Sequence, residues 1–150
     1  MKLTEHFTLE ELTFSDLAVR YGIDNTPNAE QIANLAELAA GLEEVRALLG
    51  DKPIHINSGY RCPVLNKNVG GSDKSAHMSG LAADFTCGQF GKPESIVAAI
   101  AGSSILFDQC IHEGTWVHFA VGGANRKQAM TATFDEYGRA TYKPFEVQSA

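Results

Sequence analysis

The chain has 150 residues, a length that suits one domain built around one hydrophobic core. Its composition, 44% hydrophobic and 20% charged, excludes wholesale disorder. A formal net charge of −6 without any cluster of Lys or Arg argues against a nucleic-acid-binding or membrane-surface protein. We therefore predict a single domain over residues 1–150.

Two helices are predicted in the N-terminal third. Thr8 and Glu11 form a capping box that starts a short helix ending near residue 15. Asn28 and Gln31 form a second capping box, at the start of a long helix that ends at Gly50. The long helix carries apolar residues at helical spacing, which predicts a core position: Ile32, Leu35, Ala36, Ala39, Leu42, Val45, Leu48 and Leu49.

From residue 54 onwards the pattern changes to short strands with alternating polarity. A Gly- and Asn-rich loop is predicted after the first strand, and a helix starts at Lys92-Pro93 and ends at Gly102. Helices followed by strands predict an α+β fold, with the N-terminal helices packed on a small, mostly antiparallel sheet. The predicted strands are Ile54–Ser58, Leu81–Thr86, Phe107–His112, Trp116–Val121, Thr131–Phe134 and Arg139–Tyr142.

Three cysteines, Cys62, Cys87 and Cys110, are widely spaced and include no C-x-x-C pair, which favours buried, reduced thiols over a disulfide framework. The segment after Lys2 lacks the apolar stretch of a secretory signal, and no apolar run reaches the length of a membrane span. We therefore expect synthesis in the cytoplasm without membrane insertion.

Two histidines and a carboxylate predict a metal site. His77, Asp84 and His118 would supply three N/O ligands and leave a fourth position for water, the usual arrangement in catalytic zinc sites. Asp84 lies in an otherwise apolar strand, where an unpaired carboxylate would be costly and a metal ion would remove that cost. We expect Gly80 to let the backbone turn closely around the ion.

Two further residues complete a predicted hydrolytic site. Zinc lowers the pKa of bound water to about 7, and a carboxylate must then accept the proton. Glu113, in the turn before His118, is the best-placed general base. Arg61 would bind a peptide carboxylate or stabilise the oxyanion.

These residues belong to four motifs that together resemble the M15 family of zinc D-Ala-D-Ala carboxypeptidases, in particular the branch found in phage lysins. The resemblance covers roughly residues 7–130, and the His-to-Asp spacing is its most specific part. The motifs are Ser58-Gly59-Tyr60-Arg61, Gly70-Gly71-Ser72, Ser75-x-His77-x-x-Gly80-x-Ala82-x-Asp84 and Trp116-Val117-His118.

The resemblance implies a DD-peptidase/hedgehog-type fold and one zinc ion held by His77, Asp84 and His118. It also implies that Arg61 binds the substrate and that Ser75 lies near the metal. Many relatives place the acidic base three residues before the last histidine, where this chain has Thr115. Glu113 lies five residues before it, which is similar to the phage-type spacing.

Simpler interpretations remain open for several of these side chains. Arg61 would otherwise be a surface ion-pair residue, and Glu113 a solvated turn carboxylate. Ser75 would cap a turn, Trp116 would either line the cleft and contact substrate or pack in the core, and His112 would lie beside the metal or on the surface of its strand.

The predicted function is a zinc metallopeptidase that acts on peptidoglycan or muropeptide stem peptides as a carboxypeptidase or an endolysin-type endopeptidase. A non-catalytic zinc-binding wall-recognition module of the same fold and a zinc dipeptidase are the alternatives. We expect a monomer without a nucleic-acid partner, acting on the cell wall if phage lysis releases it or a virion carries it.

Overall fold

The computed structural model describes residues 1–146, which form five α-helices, one 3-10 helix and six strands. The α-helices are α1 (Leu9–Thr13), α2 (Asp16–Arg20), α3 (Ala29–Leu48), α4 (Pro63–Asn68) and α5 (Pro93–Ala101), and the 3-10 helix is Ala76–Ser79. The strands are β1 (His55–Ser58), β2 (Ala82–Thr86), β3 (Gln109–His112), β4 (Val117–Ala120), β5 (Gln128–Phe134) and β6 (Ala140–Pro144).

Both predicted capping boxes are confirmed. The Glu11 backbone N–H donates to Thr8 Oγ1 at 3.1 Å at the start of α1. At the start of α3, the Gln31 N–H donates to Asn28 Oδ1 and the Asn28 N–H to Gln31 Oε1, each at 2.8 Å. These bonds satisfy backbone donors that a helix leaves free in its first turn.

Two short helices were not predicted. The first helix ends at Thr13, and Ser15 caps the separate helix α2 through its hydroxyl, which accepts from the Ala18 N–H at 3.2 Å. Helix α4 lies within the predicted Gly- and Asn-rich loop and begins at Pro63, whose fixed φ suits a first helical position. Its buried Leu65 anchors it to the core.

The sheet has the strand order β1-β2-β4-β3-β5-β6. Every adjacent pair is antiparallel except β3 and β5, which run parallel. The predicted α+β architecture with a mostly antiparallel sheet is therefore confirmed, including the final hairpin of β5 and β6.

The two faces of the sheet have different partners. Ala83 and Phe85 of β2 and Phe119 of β4 point into the core, where the buried residues of α3 and α5 pack. Helix α3 and the sheet are in close contact, since a Cβ added at Gly41 of α3 would lie 3.3 Å from the ring of Phe119. The alternate residues of these strands, including Asp84 and His118, point to the opposite face because side chains alternate along a strand. That opposite face carries the cleft described below.

The three cysteines are buried and free, as predicted. Among residues 1–146, no helix combines the length and hydropathy that a membrane crossing requires.

Candidate metal centre

Three structural elements bring His77, Asp84 and His118 together. Asp84 and His118 face each other directly across the β2–β4 pair. His77 comes from the 3-10 helix that precedes β2, and its backbone carbonyl accepts a hydrogen bond from the Arg61 N–H at 3.1 Å. The structure therefore places the three predicted ligands side by side.

The donor atoms of the three side chains converge within 4.8 Å of one another. Asp84 Oδ1 lies 3.0 Å from His118 Nδ1 and 3.3 Å from His77 Nε2. His77 and Asp84 are buried, with 2% and 8% of their surface exposed, and His118 is partly buried. Two imidazoles and one carboxylate with an open side form the donor set of many catalytic zinc sites.

The hydrogen bonding of His77 shows that this donor set fits a cation. His77 Nδ1 lies 2.7 Å from the Gly59 carbonyl oxygen, which only accepts, so Nδ1 carries the proton and Nε2 of the neutral ring has a free lone pair. That lone pair faces the Asp84 carboxylate oxygen, another acceptor, and the contact requires either a second proton or a cation between the two atoms. A carbonyl that fixes the tautomer of a histidine is a common support for a metal ligand.

The Gly59 carbonyl has this position because Gly59 has no side chain. A Cβ at this position would lie 2.2 Å from the Leu12 carbonyl oxygen at the end of α1. The same Leu12 oxygen accepts a hydrogen bond from the Tyr60 N–H at 2.8 Å. The end of β1 is therefore held tightly between α1 and His77.

Asp84 is ionised in this environment. Burial raises the pKa of its carboxyl, but the neighbouring imidazoles of His118 and His77 outweigh burial and hold the pKa well below its ordinary value. A charged carboxylate is the form in which aspartate binds a metal ion.

Glu113 lies one residue beyond β3, beside the metal-binding side chains. Its backbone N–H donates to the Trp116 carbonyl at 3.0 Å, closing the turn between β3 and β4. Burial raises the pKa of Glu113, the charge of Asp84 raises it further, and His118 and Arg61 oppose the shift. Glu113 is therefore a partly buried carboxylate in the cleft, and the interpretation as a solvated turn residue is wrong.

Arg61 enters the same cleft from the segment that follows β1. Burial lowers the pKa of its guanidinium, and the charges of Asp84 and Glu113 oppose that shift. Within residues 1–146, Arg61 forms no ion pair, and its Nε is buried without a hydrogen-bond partner. The interpretation of Arg61 as a surface ion-pair residue is therefore wrong.

The remaining predicted site residues have distinct roles. Ser75 caps the 3-10 helix, with its Oγ accepting from the His77 N–H at 3.2 Å. Trp116 lines the cleft, and its partly buried side chain interacts with Glu113: burial raises the pKa of that carboxyl, and this contact lowers it. His112 lies on the face of β3 opposite to its neighbours Ile111 and Glu113, and its ring nitrogen Nε2 is 3.3 Å from the Gly114 carbonyl.

Sequence analysis missed Asn25, which supports the segment that carries Arg61. The Asn25 amide donates to the Thr13 and Tyr60 carbonyls at 2.9 and 3.0 Å and accepts from the Cys62 N–H at 2.8 Å. It therefore fixes the backbone on both sides of Arg61. Gly80 ends the 3-10 helix with a φ of 77°, and a Cβ there would lie 2.8 Å from a carbonyl oxygen of α3, so the turn between His77 and Asp84 requires glycine.

His77, Asp84, His118, Glu113 and Arg61 line one cleft of about 840 Å³. Its floor contains the three donor side chains, and its walls come from the α4–β2 segment on one side and the β5–β6 hairpin on the other. The wall residues include Arg61, Gly70, Gly71, Ser72, Lys74, Ser75, Met130, Phe134, Ala140 and Tyr142.

The α+β domain brings a His-Asp-His donor set, the partly buried carboxylate of Glu113 and the guanidinium of Arg61 into one cleft. This combination is typical of metal-dependent hydrolases. The family described as Peptidase M15 matches residues 5–120, and the chain belongs to the M15 peptidase family. This confirms the family and the peptidase class predicted from the motifs.

A partial match was found to the zinc D-Ala-D-Ala carboxypeptidase of Streptomyces albus G. The two chains are 48% identical over 50 residues, which is 33% of this chain and 20% of that protein. This chain therefore matches about a fifth of the relative's length.

Proposed function

We propose that this chain is a zinc peptidase that hydrolyses a bond in the stem peptides of peptidoglycan. The observation that carries the proposal is the convergence of the His77, Asp84 and His118 donor atoms within 4.8 Å in a cleft that also contains Glu113 and Arg61. Membership of the M15 family and the zinc D-Ala-D-Ala carboxypeptidase relative support both the metal and the substrate class.

We also propose that the chain acts as one domain with a DD-peptidase/hedgehog-type fold. The hairpin of β5 and β6 supports this assignment because it continues the sheet that carries the donor residues. Residues 5–120, which the family matches, therefore share one sheet and one cleft with the hairpin.

Zinc bound by His77, Asp84 and His118 would supply Lewis acidity, polarising a peptide carbonyl and acidifying water. Glu113 then acts as the general base that takes a proton from the attacking water and delivers it to the leaving amine. Its raised pKa favours the first step, since a carboxylate with a higher pKa is a stronger base towards the attacking water.

Arg61 provides a charged donor group for a bound peptide, and Trp116 lines the same cleft. Both side chains line the cleft, and Arg61 forms no ion pair within residues 1–146. A guanidinium binds a carboxylate through two parallel hydrogen bonds, which suits a free peptide C-terminus. Ser75 contributes indirectly, by capping the helix that carries His77.

The test is digestion of purified peptidoglycan by zinc-loaded protein, with and without a chelator, and mass spectrometry of the products. Chelator-sensitive release of defined muropeptides is the expected result and names the bond. If the zinc-loaded protein binds muropeptides but cleaves none of them, the non-catalytic module replaces this proposal. Cleavage confined to small soluble dipeptides would instead favour a dipeptidase.

The Arg61→Ala variant separates a carboxypeptidase from an endopeptidase. Without this guanidinium, a carboxypeptidase no longer binds the free C-terminal carboxylate of its substrate. Its kcat/KM on linear stem peptides should then fall by about 100-fold or more, as for the loss of a buried charge-assisted pair. Cleavage of cross-linked peptides, where that carboxylate is absent, should fall much less. Near-equal losses on the two substrates would contradict this role of Arg61.

A further inference from the structure

The hairpin of β5 and β6 forms one wall of the cleft, although it lies beyond the residues that the family matches. The match ends at residue 120, and the hairpin spans residues 128–144. Met130, Phe134, Ala140 and Tyr142 of the hairpin line the cleft. The shape of this wall therefore belongs to this chain and does not follow from the matched motifs.

Strand register places Tyr142 close to Glu113. The last paired residues of β3 and β5 are His112 and Thr131, so Glu113 falls beside Ala132, and Ala132 pairs with Tyr142. The small Ala132 side chain between them leaves the aromatic ring free to lean towards Glu113. Burial raises the pKa of Tyr142, and the charges of Glu113 and Asp84 raise it further, which agrees with a phenol near these carboxylates.

Phe134 extends the same surface. It pairs with Ala140, so Phe134 and Tyr142 are diagonal neighbours on the cleft side of the hairpin, within reach of each other. Both rings are half exposed, although large aromatic side chains are usually buried where they serve the core alone. We call Phe134 and Tyr142 the aromatic wall.

The aromatic wall and Arg61 lie on opposite sides of the metal-binding residues. Arg61 follows β1 at one edge of the sheet, Asp84 and His118 lie on β2 and β4, and the wall occupies β5 and β6 at the other edge. Consider a bound peptide with its C-terminal end at Arg61 and its scissile bond at the metal site. The N-terminal part of this peptide must extend towards the hairpin.

We propose that the aromatic wall binds the residues of the substrate peptide on the N-terminal side of the cleaved bond. β6 lies three strand spacings from β4, about 14 Å, which is the length of roughly four extended residues. Since the rings project back over the cleft, the wall meets the second to fourth residue upstream of the cleaved bond. The ring faces make this contact, by covering apolar atoms of the bound peptide. This inference rests on the proposed function for the direction of the peptide.

The test uses peptides that share the cleaved bond and the C-terminal end and are shortened one residue at a time from the N-terminus. Wild-type kcat/KM should drop about tenfold where truncation removes the residues on the wall, as the loss of a partly buried aromatic contact would give. Phe134→Ala with Tyr142→Ala should lower kcat/KM by about the same factor on the long peptide and by less than twofold on the shortest. The shortest peptide thus reports on folding and metal loading within each variant.

Two further variants sharpen the comparison. Tyr142→Phe keeps the ring face and should retain the preference for the long peptide. Tyr137→Ala removes an exposed aromatic residue of the same hairpin that does not line the cleft, and should change neither rate. Three results would each overturn the proposal. The first is an equal loss on long and short peptides, and the second is no loss with the double variant. The third is a loss with Tyr137→Ala as large as that of the double variant.

Calorimetric binding separates this proposal from the proposed function. If the zinc-loaded wild type cleaves none of the peptides, the proposed function fails, and the dissociation constants of the same peptides still test the wall. About tenfold weaker binding of the long peptide by the double variant, with Tyr137→Ala unchanged, supports the wall. Equal binding by the two variants, or no binding by the wild type, overturns it.

Discussion

Replacing Gly59 with alanine should damage the metal centre without touching any donor atom. The added Cβ would lie 2.2 Å from the Leu12 carbonyl oxygen, against 3.4 Å for an ordinary contact, so the two must separate by about 1.2 Å. The Leu12 oxygen belongs to a helix backbone and cannot move alone. The strain therefore passes to the other contact of this residue, the 2.7 Å hydrogen bond between the Gly59 carbonyl and His77 Nδ1.

Two effects of Gly59→Ala can be given magnitudes. Overpacking of a tight backbone contact costs about 1–3 kcal/mol, which lowers the melting temperature of a domain of this size by about 2–4 °C per kcal/mol. Loss of the group that orients a metal-binding histidine typically weakens metal binding by about 10- to 100-fold. The second effect distinguishes a metal centre from an ordinary packing contact.

The assay is the dissociation constant for zinc, measured by competition with a chromophoric chelator, together with thermal melting of the metal-free protein. Gly88→Ala is the matched control, because Gly88 is exposed and a Cβ there would meet nothing within 4 Å. Wild-type zinc affinity in Gly59→Ala would refute the reasoning, even if the variant were less stable.

Two other variants test the roles of the residues around the metal centre. Glu113→Gln should lower kcat by about 10²- to 10⁴-fold while the zinc affinity changes less than twofold; a parallel loss of zinc would contradict its role as the base. The pKa of Glu113 is raised, so this carboxylate takes up a proton at a higher pH than an exposed carboxylate does. On acidification, wild-type activity should therefore be lost at that higher pH, and the residual activity of Glu113→Gln should lack this step. Asn25→Ala should raise KM about tenfold with little change in kcat, since it frees the backbone on both sides of Arg61. Asn25→Asp keeps the acceptor for the Cys62 N–H but sets a carboxylate oxygen against the Thr13 and Tyr60 carbonyls, so it should raise KM at least as much. A change confined to kcat would contradict this assignment.

Local signals predicted the parts of the fold that depend on neighbouring residues. The capping boxes at Thr8 and Asn28 join groups three residues apart, so both helix starts could be predicted correctly. The capping hydroxyl of Ser15 is equally local, but a helix of five residues carries too few apolar positions to show a period. Helix α4 was missed because its apolar anchor is the single buried Leu65 among polar residues.

The three candidate metal ligands could be selected because their types and spacing are specific, and the structure brings their donor atoms together. The residues that position these side chains through backbone contacts, Asn25 and Gly59, could not be predicted in the same way. Asn25 contacts backbone groups that are 12, 35 and 37 residues away in the chain, so nothing near it in sequence distinguishes it from any loop asparagine. In the sequence Gly59 is distinguished only as part of a motif, because the requirement for glycine there depends on the position of α1.

The aromatic wall shows the same limit. Sequence predicted the β5–β6 hairpin but gave no reason to connect it with the cleft. Phe134 and Tyr142 reach the cleft only because β5 pairs in parallel with β3, and that pairing joins strands separated by β4 and a Gly-rich connection.

The direct pairing of Asp84 with His118 has a consequence for folding. A slip of one residue between β2 and β4 would turn one of these side chains to the core face, where Phe85 and Phe119 pack. A charged carboxylate in that apolar layer carries a large penalty, so the misregistered sheet is strongly disfavoured. The two residues thus specify the alignment of the central strands, and a metal ion bound between them would act as a crosslink that forms only in the correct alignment.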